Sequence, residues 1–175
     1  MTIARTQSAL LAACTALAAN SLIGASTPAN AAATVAACGN SSLTVSHTAA
    51  QGATGHGSFV LLFKNTSRTT CIIYGYPGLD ALNASGRTLA HARRTLRGFA
   101  GGANIEKAVT VIPGHWASAT SEWMNFNPTN TGPCTFSKSV ATTPANTTRT
   151  VHLAVSVSVC DLQVHPTVNG TSGNN

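Results

Sequence analysis

The chain has 175 residues, 43% of them hydrophobic and only 8% charged. Ten Lys and Arg oppose four Asp and Glu, for a formal net charge of +6, so chemistry that needs several placed carboxylates must draw on Asp80, Glu106, Glu122 and Asp161 alone. This length carries one domain with a real core and excludes two comfortable ones, and its positive field favours anionic partners.

The chain opens with Arg5, then a run over residues 8–25 that is almost all Ala, Leu, Ser, Thr and Ile, then small-residue sites ending at Ala31 and Ala33. Residues 1–33 therefore read as a secretory signal peptide cleaved near Ala31 or Ala33 and stand outside the fold. Thr15, Asn20 and Ser21 dilute the apolar run and Pro28 follows it, which leaves no continuous span of ~20 apolar residues for a transmembrane anchor. Two stretches imitate a lipidation box, ending at Cys14 and Cys38. The first cuts the apolar run short, the second lies beyond it, and a soluble, secreted or wall-associated mature protein is expected.

Removing Cys14 with the signal leaves Cys38, Cys71, Cys134 and Cys160. An even number in an exported chain implies two disulfides, and spacing alone does not choose among the three connectivities. No CxxC or HxxxH spacing occurs, so neither metal centre nor cofactor is expected.

In chain order, Leu43, Val45 and His47 alternate with polar neighbours as a strand does. A Gly-rich loop over residues 52–57 precedes SFVLLFKN, residues 58–65, which is apolar on both faces and so predicts a central strand. The octet CIIYGYPG, residues 71–78, organises the rest: β-branched Ile72 and Ile73 and aromatic Tyr74 and Tyr76 suit a half-buried strand, and Pro77 and Gly78 predict the turn that ends it. Residues 79–82 and 88–91 form a hairpin about Asn83-Ala84-Ser85-Gly86. Residues 92–103, with Arg93, Arg94 and Arg97, read as an irregular, exposed excursion. Val109 to Ile112 make a short strand stopped by Pro113-Gly114. Residues 115–123 make another, with Trp116 and Trp123 on opposite faces if it is unbroken.

A polar loop over residues 125–133 leads to a strand about Cys134, Phe136 and Val140. The clearest strand is the last, where Val151, Leu153, Val155, Val157 and Val159 alternate without error; Leu162 and Val164 continue it beyond a kink, and residues 167–175 predict a disordered tail. About eight short strands without an amphipathic helix point to one all-β domain over residues 38–166, an antiparallel sandwich with a closed barrel as the alternative.

A cysteine before the first strand, then Phe63-Lys64-Asn65-Thr66-Ser67, the octet at 71–78, Ile112-Pro113-Gly114-His115-Trp116-Ala117 with Trp123, Cys134, and finally Val159-Cys160 follow in an order that is familiar. Over residues 38–166 this resembles an uncharacterised family of secreted and lipoprotein domains of actinobacteria. The resemblance implies an immunoglobulin-like β-sandwich bridged Cys38 to Cys71 and Cys134 to Cys160. It implies no catalytic activity, because the family's function is unassigned. The Arg-rich stretch after His91 departs from the pattern.

No Gly-x-Ser-x-Gly elbow surrounds any serine, which disfavours a triad hydrolase. A glycosidase needs two carboxylates astride the scissile bond; Glu106 and Glu122 are the pair to watch. The histidines at 47, 56, 91, 115, 152 and 165 are scattered, and only His47 with His152 offers a cross-strand copper or zinc pair. Arg87, Arg93, Arg94 and Arg97, with His91, form the one charge cluster, a candidate grip on phosphate or carboxylate groups of envelope polymers if they share a face, and otherwise a solvated loop. Without interleaved aromatics, and in an exported protein, the cluster does not read as a nucleic-acid site. Five Asn-x-Ser/Thr sequons reflect a Ser/Thr/Asn-rich surface. The expectation is an exported, non-enzymatic binding or structural module of the cell envelope or extracellular space, whose partner is an anionic envelope polymer or another envelope protein. The alternative is a secreted protease inhibitor with a loop stiffened beside Cys134 by Pro133, and a hydrolase ranks last.

Overall fold

The computed structural model describes residues 34–175, so the expected signal peptide lies outside the described residues. Along them run β1 (Leu43–His47), β2 (Gln51–Ala53), β3 (His56–Asn65), β4 (Cys71–Ile73), β5 (Gly78–Leu82), β6 (Thr88–His91) and β7 (Arg93–Arg94). There follow β8 (Val109–Val111), β9 (Trp116–Met124), β10 (Ser139–Thr143), β11 (Val151–Leu153), β12 (Gln163–Val164) and β13 (Val168–Asn169). One sheet runs β1-β3-β9-β12-β7, with β2 added to β3 and β13 to β9; a second runs β11-β10-β5-β6; β4 pairs with β8. All these pairings are antiparallel except β12 with β7.

The two larger sheets share one core. Phe59, Leu61 and Phe63 alternate inward from β3, and Leu79, Ala81, Val140 and Leu153 meet them from the second sheet. Each such large side chain contributes about 1.5 to 3 kcal/mol of burial. The all-β antiparallel sandwich is as expected, and β3 is central, flanked by β1 and β2 on one side and β9 on the other. Trp123 lies inward on β9, while Trp116 faces the other way and carries the Lys64 ammonium 5.4 Å from its ring centroid.

Two disulfides, Cys38 to Cys71 and Cys134 to Cys160, span Cα separations of 4.9 and 5.6 Å. The first fastens an N-terminal segment along β4, where Cys38 N–H donates to Ile72 O at 2.8 Å. The second ties the loop after β9 to the stretch after β11.

β9 is buried on both faces, which explains its composition. Its inward residues include Ala117, Ala119 and Trp123, and its other face carries Ser118, Thr120 and Glu122, also buried. Those polar groups receive backbone. Gly173 N–H donates to Ser118 Oγ at 2.9 Å, Thr120 Oγ1 donates to Gly173 O at 3.0 Å, and Glu122 accepts from Ala100 N–H at 2.8 Å.

This docking overturns the expected disordered tail. Val168 and Asn169 pair with Ser118 and Ala117, and Asn174 Oδ1 accepts Gly102 N–H at 2.8 Å. A polar tail finds its partners on a distant strand, which local composition does not reveal. The same holds for residues 92–103: Arg93 and Arg94 join the sheet as β7, and Gly101, Gly102 and Ala103 are buried rather than exposed.

Two strand expectations also change. β4 stops at Ile73 because Gly75 turns the chain with φ +87°, so the reversal falls at Gly75, while Gly78 already opens β5. The long last strand pairs with β10 only over Val151–Leu153. Val155 N–H then bonds back to Leu153 O at 2.9 Å in a tight turn, and the chain beyond it pairs with residues 135–137 through Val159 N–H to Thr135 O and Ser137 N–H to Val157 O. The alternation there reports burial of Leu153, Val155 and Val157, not a continuous ladder. Phe136, expected within a strand, forms a single bridge to Ser158 and is exposed, and β10 begins only at Ser139.

Candidate functional site

The β2–β3 hairpin turns through Thr54 and Gly55, with φ +49° and +80°, the pair of positive values a two-residue type I′ turn requires. His56 follows at once and is held at the sheet margin. Its ring lies 4.2 Å from that of Phe99 and 5.9 Å from that of Phe126. Phe99 and Phe126 nevertheless remain 55% and 49% exposed. Beside them opens a cavity of about 210 Å³ lined by His56, Phe99, Glu122, Trp123, Asp161 and Gln163 among others.

Glu122 holds this rim in place. It is 3% exposed, and its oxygens accept Phe99 N–H at 3.3 Å and Ala100 N–H at 2.8 Å, so the segment bearing Phe99 is pinned to β9. A Cβ on Gly98 would lie 1.8 Å from Glu122 Oε1, so this approach requires glycine. Behind the carboxylate, His165 Nε2 stands 3.4 Å from Oε2, while His165 Nδ1 sits 3.0 Å from Thr95 O. Burial opposes the ionised carboxyl, but the His165 contact and the two backbone N–H groups outweigh it and hold Glu122 below the usual carboxylate range.

At the other side of the cavity, Asp161 pairs with Arg93 and accepts Gln163 Nε2–H at 2.7 Å. The arrangement offers flat apolar faces above a cavity whose acids are already engaged. Stacking and apolar contact are its available chemistry.

Residues 38–171 match DUF4232, a domain of unknown function. The chain belongs to this family. No curated protein and no solved structure matches it.

The DUF4232 region takes in both disulfides and extends through β13 into the docked tail. Among its described residues no helix is long and apolar enough to cross a membrane, and no group of three or more His, Cys, Asp or Glu is placed to hold a metal.

The four arginines of the sequence cluster have separate settings in the DUF4232 domain. Arg93 and Arg94, consecutive in β7, point to opposite faces, the first to Asp161 and the second into a cleft with Tyr76. Arg97 Nη1 donates to Asn175 O at 3.3 Å, and Arg87 lies in the exposed β5–β6 hairpin, its N–H on Asn83 Oδ1. His91 pairs with Asp80 at 2.6 Å. His47 and His152 fall in different sheets. Glu106 sits beside Gly75 and Tyr76, away from the partners of Glu122.

Sequence reading did not single out His56, Phe99, Phe126 or His165 as a group. Their one local signal is the three glycines about Phe99, at 98, 101 and 102. Of these, Gly98 leaves room for Glu122 and Gly102 for His165.

Proposed function

We propose that this DUF4232 domain is an exported, non-enzymatic binding module of the cell envelope or extracellular space, and that it takes its ligand on the rim formed by His56, Phe99 and Phe126. The observation that carries this reading is the pair of half-exposed phenylalanines in ring contact with one histidine beside a cavity. Exposed aromatic clusters mark interaction surfaces. Two disulfides in a small β domain suit an oxidising compartment, and with Glu122 they stiffen the rim before any ligand arrives, which lowers the entropy lost on binding.

Support for a binding role over a catalytic one comes from the acids. Glu122 is occupied by backbone N–H groups, Asp161 by Arg93, and Asp80 by His91; Glu106 lies beside Tyr76. The ligand presents a flat or apolar face, as a sugar ring or an aromatic side chain of an envelope component does. Retention of the oxidised protein on purified envelope fractions tests the reading, with wild type compared to a Phe99→Ser/Phe126→Ser variant of equal thermal stability. Loss of retention in the variant is expected; equal retention would remove the rim from consideration. Retention lost instead on replacing Arg87, Arg94 and Arg97 by Ser would transfer the role to charge.

A further inference from the structure

A chain of polar groups leads from the cavity beside the aromatic rim to a buried histidine. Asp161, paired with Arg93, accepts Gln163 Nε2–H at 2.7 Å, so the amide oxygen of Gln163 faces the other way and accepts the Thr95 hydroxyl proton at 2.8 Å. A hydroxyl has one proton to give. Thr95 Oγ1 and Thr95 O, 3.2 and 3.0 Å from His165 Nδ1, are therefore both acceptors toward the ring, and Nδ1 carries a proton.

The proton on Nδ1 decides what faces Glu122. His165 is 0% exposed, its Nε2 has no hydrogen-bond partner among the described residues, and Glu122 Oε2 lies 3.4 Å from it. With Nδ1 already protonated, a neutral ring would aim the Nε2 lone pair at a carboxylate inside the protein. A second proton turns the same contact into attraction between opposite charges, which offsets the burial of both. Among the described residues, Glu122 is the one acid within ion-pair distance of this ring. Arg97 turns to Asn175 O, and Asp161, with its partner Arg93, reaches the ring only through Gln163 and Thr95.

The pair grips the Phe99 segment at two points. Thr95 is held by the ring, and its N–H donates to Val164 O at 3.2 Å; Phe99 and Ala100 donate to Glu122. The segment also lies directly on the imidazole, since a Cβ on Gly102 would stand 2.8 Å from His165 Cγ.

We propose that His165 is a positioning residue for the aromatic rim, a pH-sensitive latch that holds the Phe99 segment in place through a buried imidazolium–carboxylate pair. With both ring nitrogens protonated the pair is complete. As pH rises and Nε2 gives its proton to solvent, Glu122 keeps its charge but loses its counter-ion, and the segment loosens. The direction is opposite to that of Glu122, whose own contribution goes as pH falls. The effect on ligand capture rests on the rim being the binding surface, whereas the latch is read without ligand.

The test has two readouts on the oxidised, ligand-free protein, from about pH 6 to about pH 9, the range in which histidines change charge. Long-range proton–nitrogen correlation of the His165 ring should show both nitrogens protonated at the lower end. Amide exchange at Phe99 and Ala100, expressed as protection factors to remove the intrinsic effect of base, should lose about tenfold or more as the ring deprotonates, the factor for one charge-assisted partner. His165→Gln places an amide donor near Nε2 that does not titrate, and should give protection that is flat with pH. A ring with a single proton at pH 6, or wild-type protection that stays flat while the ring titrates, would overturn the proposal without recourse to the variant. The wild-type loss persisting in His165→Gln would also overturn it, and would assign the effect to His56 against Phe99. A latch that behaves as expected in a protein that envelope fractions do not retain would leave His165 its role and remove only the binding reading.

Discussion

Gly57 stands opposite Trp123 in the β3–β9 ladder, and the indole occupies the space its side chain would take: a Cβ there would lie 2.3 Å from Trp123 Cε2. The indole is further fixed by Phe59 at 6.1 Å between ring centroids and by donation of Nε1–H to Asn125 Oδ1 at 2.9 Å. Gly57→Ala must therefore displace the ring from a packed core. Overpacking of this kind costs about 1 to 3 kcal/mol. A urea midpoint equal to wild type would show that the indole has room to move.

Glu122 makes stability depend on acid. Its folded-state pKa lies below the unfolded value, so its contribution is complete above the unfolded pKa and is lost as pH falls through the folded one. Stability should decline from about pH 5 downward. In Glu122→Gln the decline should be shallower, from a lower starting point, since the amide presents one N–H face to backbone donors at a cost of about 1 to 3 kcal/mol. Urea midpoints measured across the acid range check this, and parallel slopes in the two proteins would contradict it.

The disulfides close stretches of 33 and 26 residues, each of which removes about 3.5 kcal/mol of unfolded-chain entropy on the loop-closure estimate. Paired Ser variants at Cys38 and Cys71, or at Cys134 and Cys160, should lose stability by comparable amounts. Limited proteolysis separates them. The second variant should be cut first in residues 125–135, where the chain is exposed, and cutting elsewhere would show that this bridge restrains a different segment.

The tail should behave as part of the sheet. Asn174→Ala loses the Gly102 N–H contact and should cost about 0.5 to 1.5 kcal/mol. Gly173→Ala should cost more, because Gly173 has φ +70° and a Cβ there would lie 2.2 Å from Thr120 Oγ1. Hydrogen exchange at residues 118–120 is the readout. Protection unchanged in both variants would mean that the tail does not shield β9.

Much of this fold is legible locally. The alternation of β1 and β3 and the β5–β6 hairpin, whose Asn83 Oδ1 accepts the Ser85 and Arg87 N–H groups, follow from neighbours within a few residues, as does the Pro113-Gly114 stop with Gly114 at φ +80°. The candidate site was not legible in that way. His56, Phe99 and Phe126 are far apart in the chain, and the stretch carrying Phe99 reads as loop because its stabilising bonds come from Glu122 on another strand.

From composition, periodicity and cysteine number alone, the chain determined an all-β body with two crosslinks, because alternation and turn chemistry are set by each residue's own geometry. Which cysteines pair is seen directly in the structure, in keeping with the family resemblance. Tertiary structure alone decided that the perfect alternation after Val151 breaks into two pairings and that the polar tail lies on Ser118 and Thr120. It alone also brought two phenylalanines to one histidine. The physical reason is common to all three: a period-two pattern records which side of a residue is buried, whereas the identity of the surface that buries it depends on strands that the local sequence does not contain.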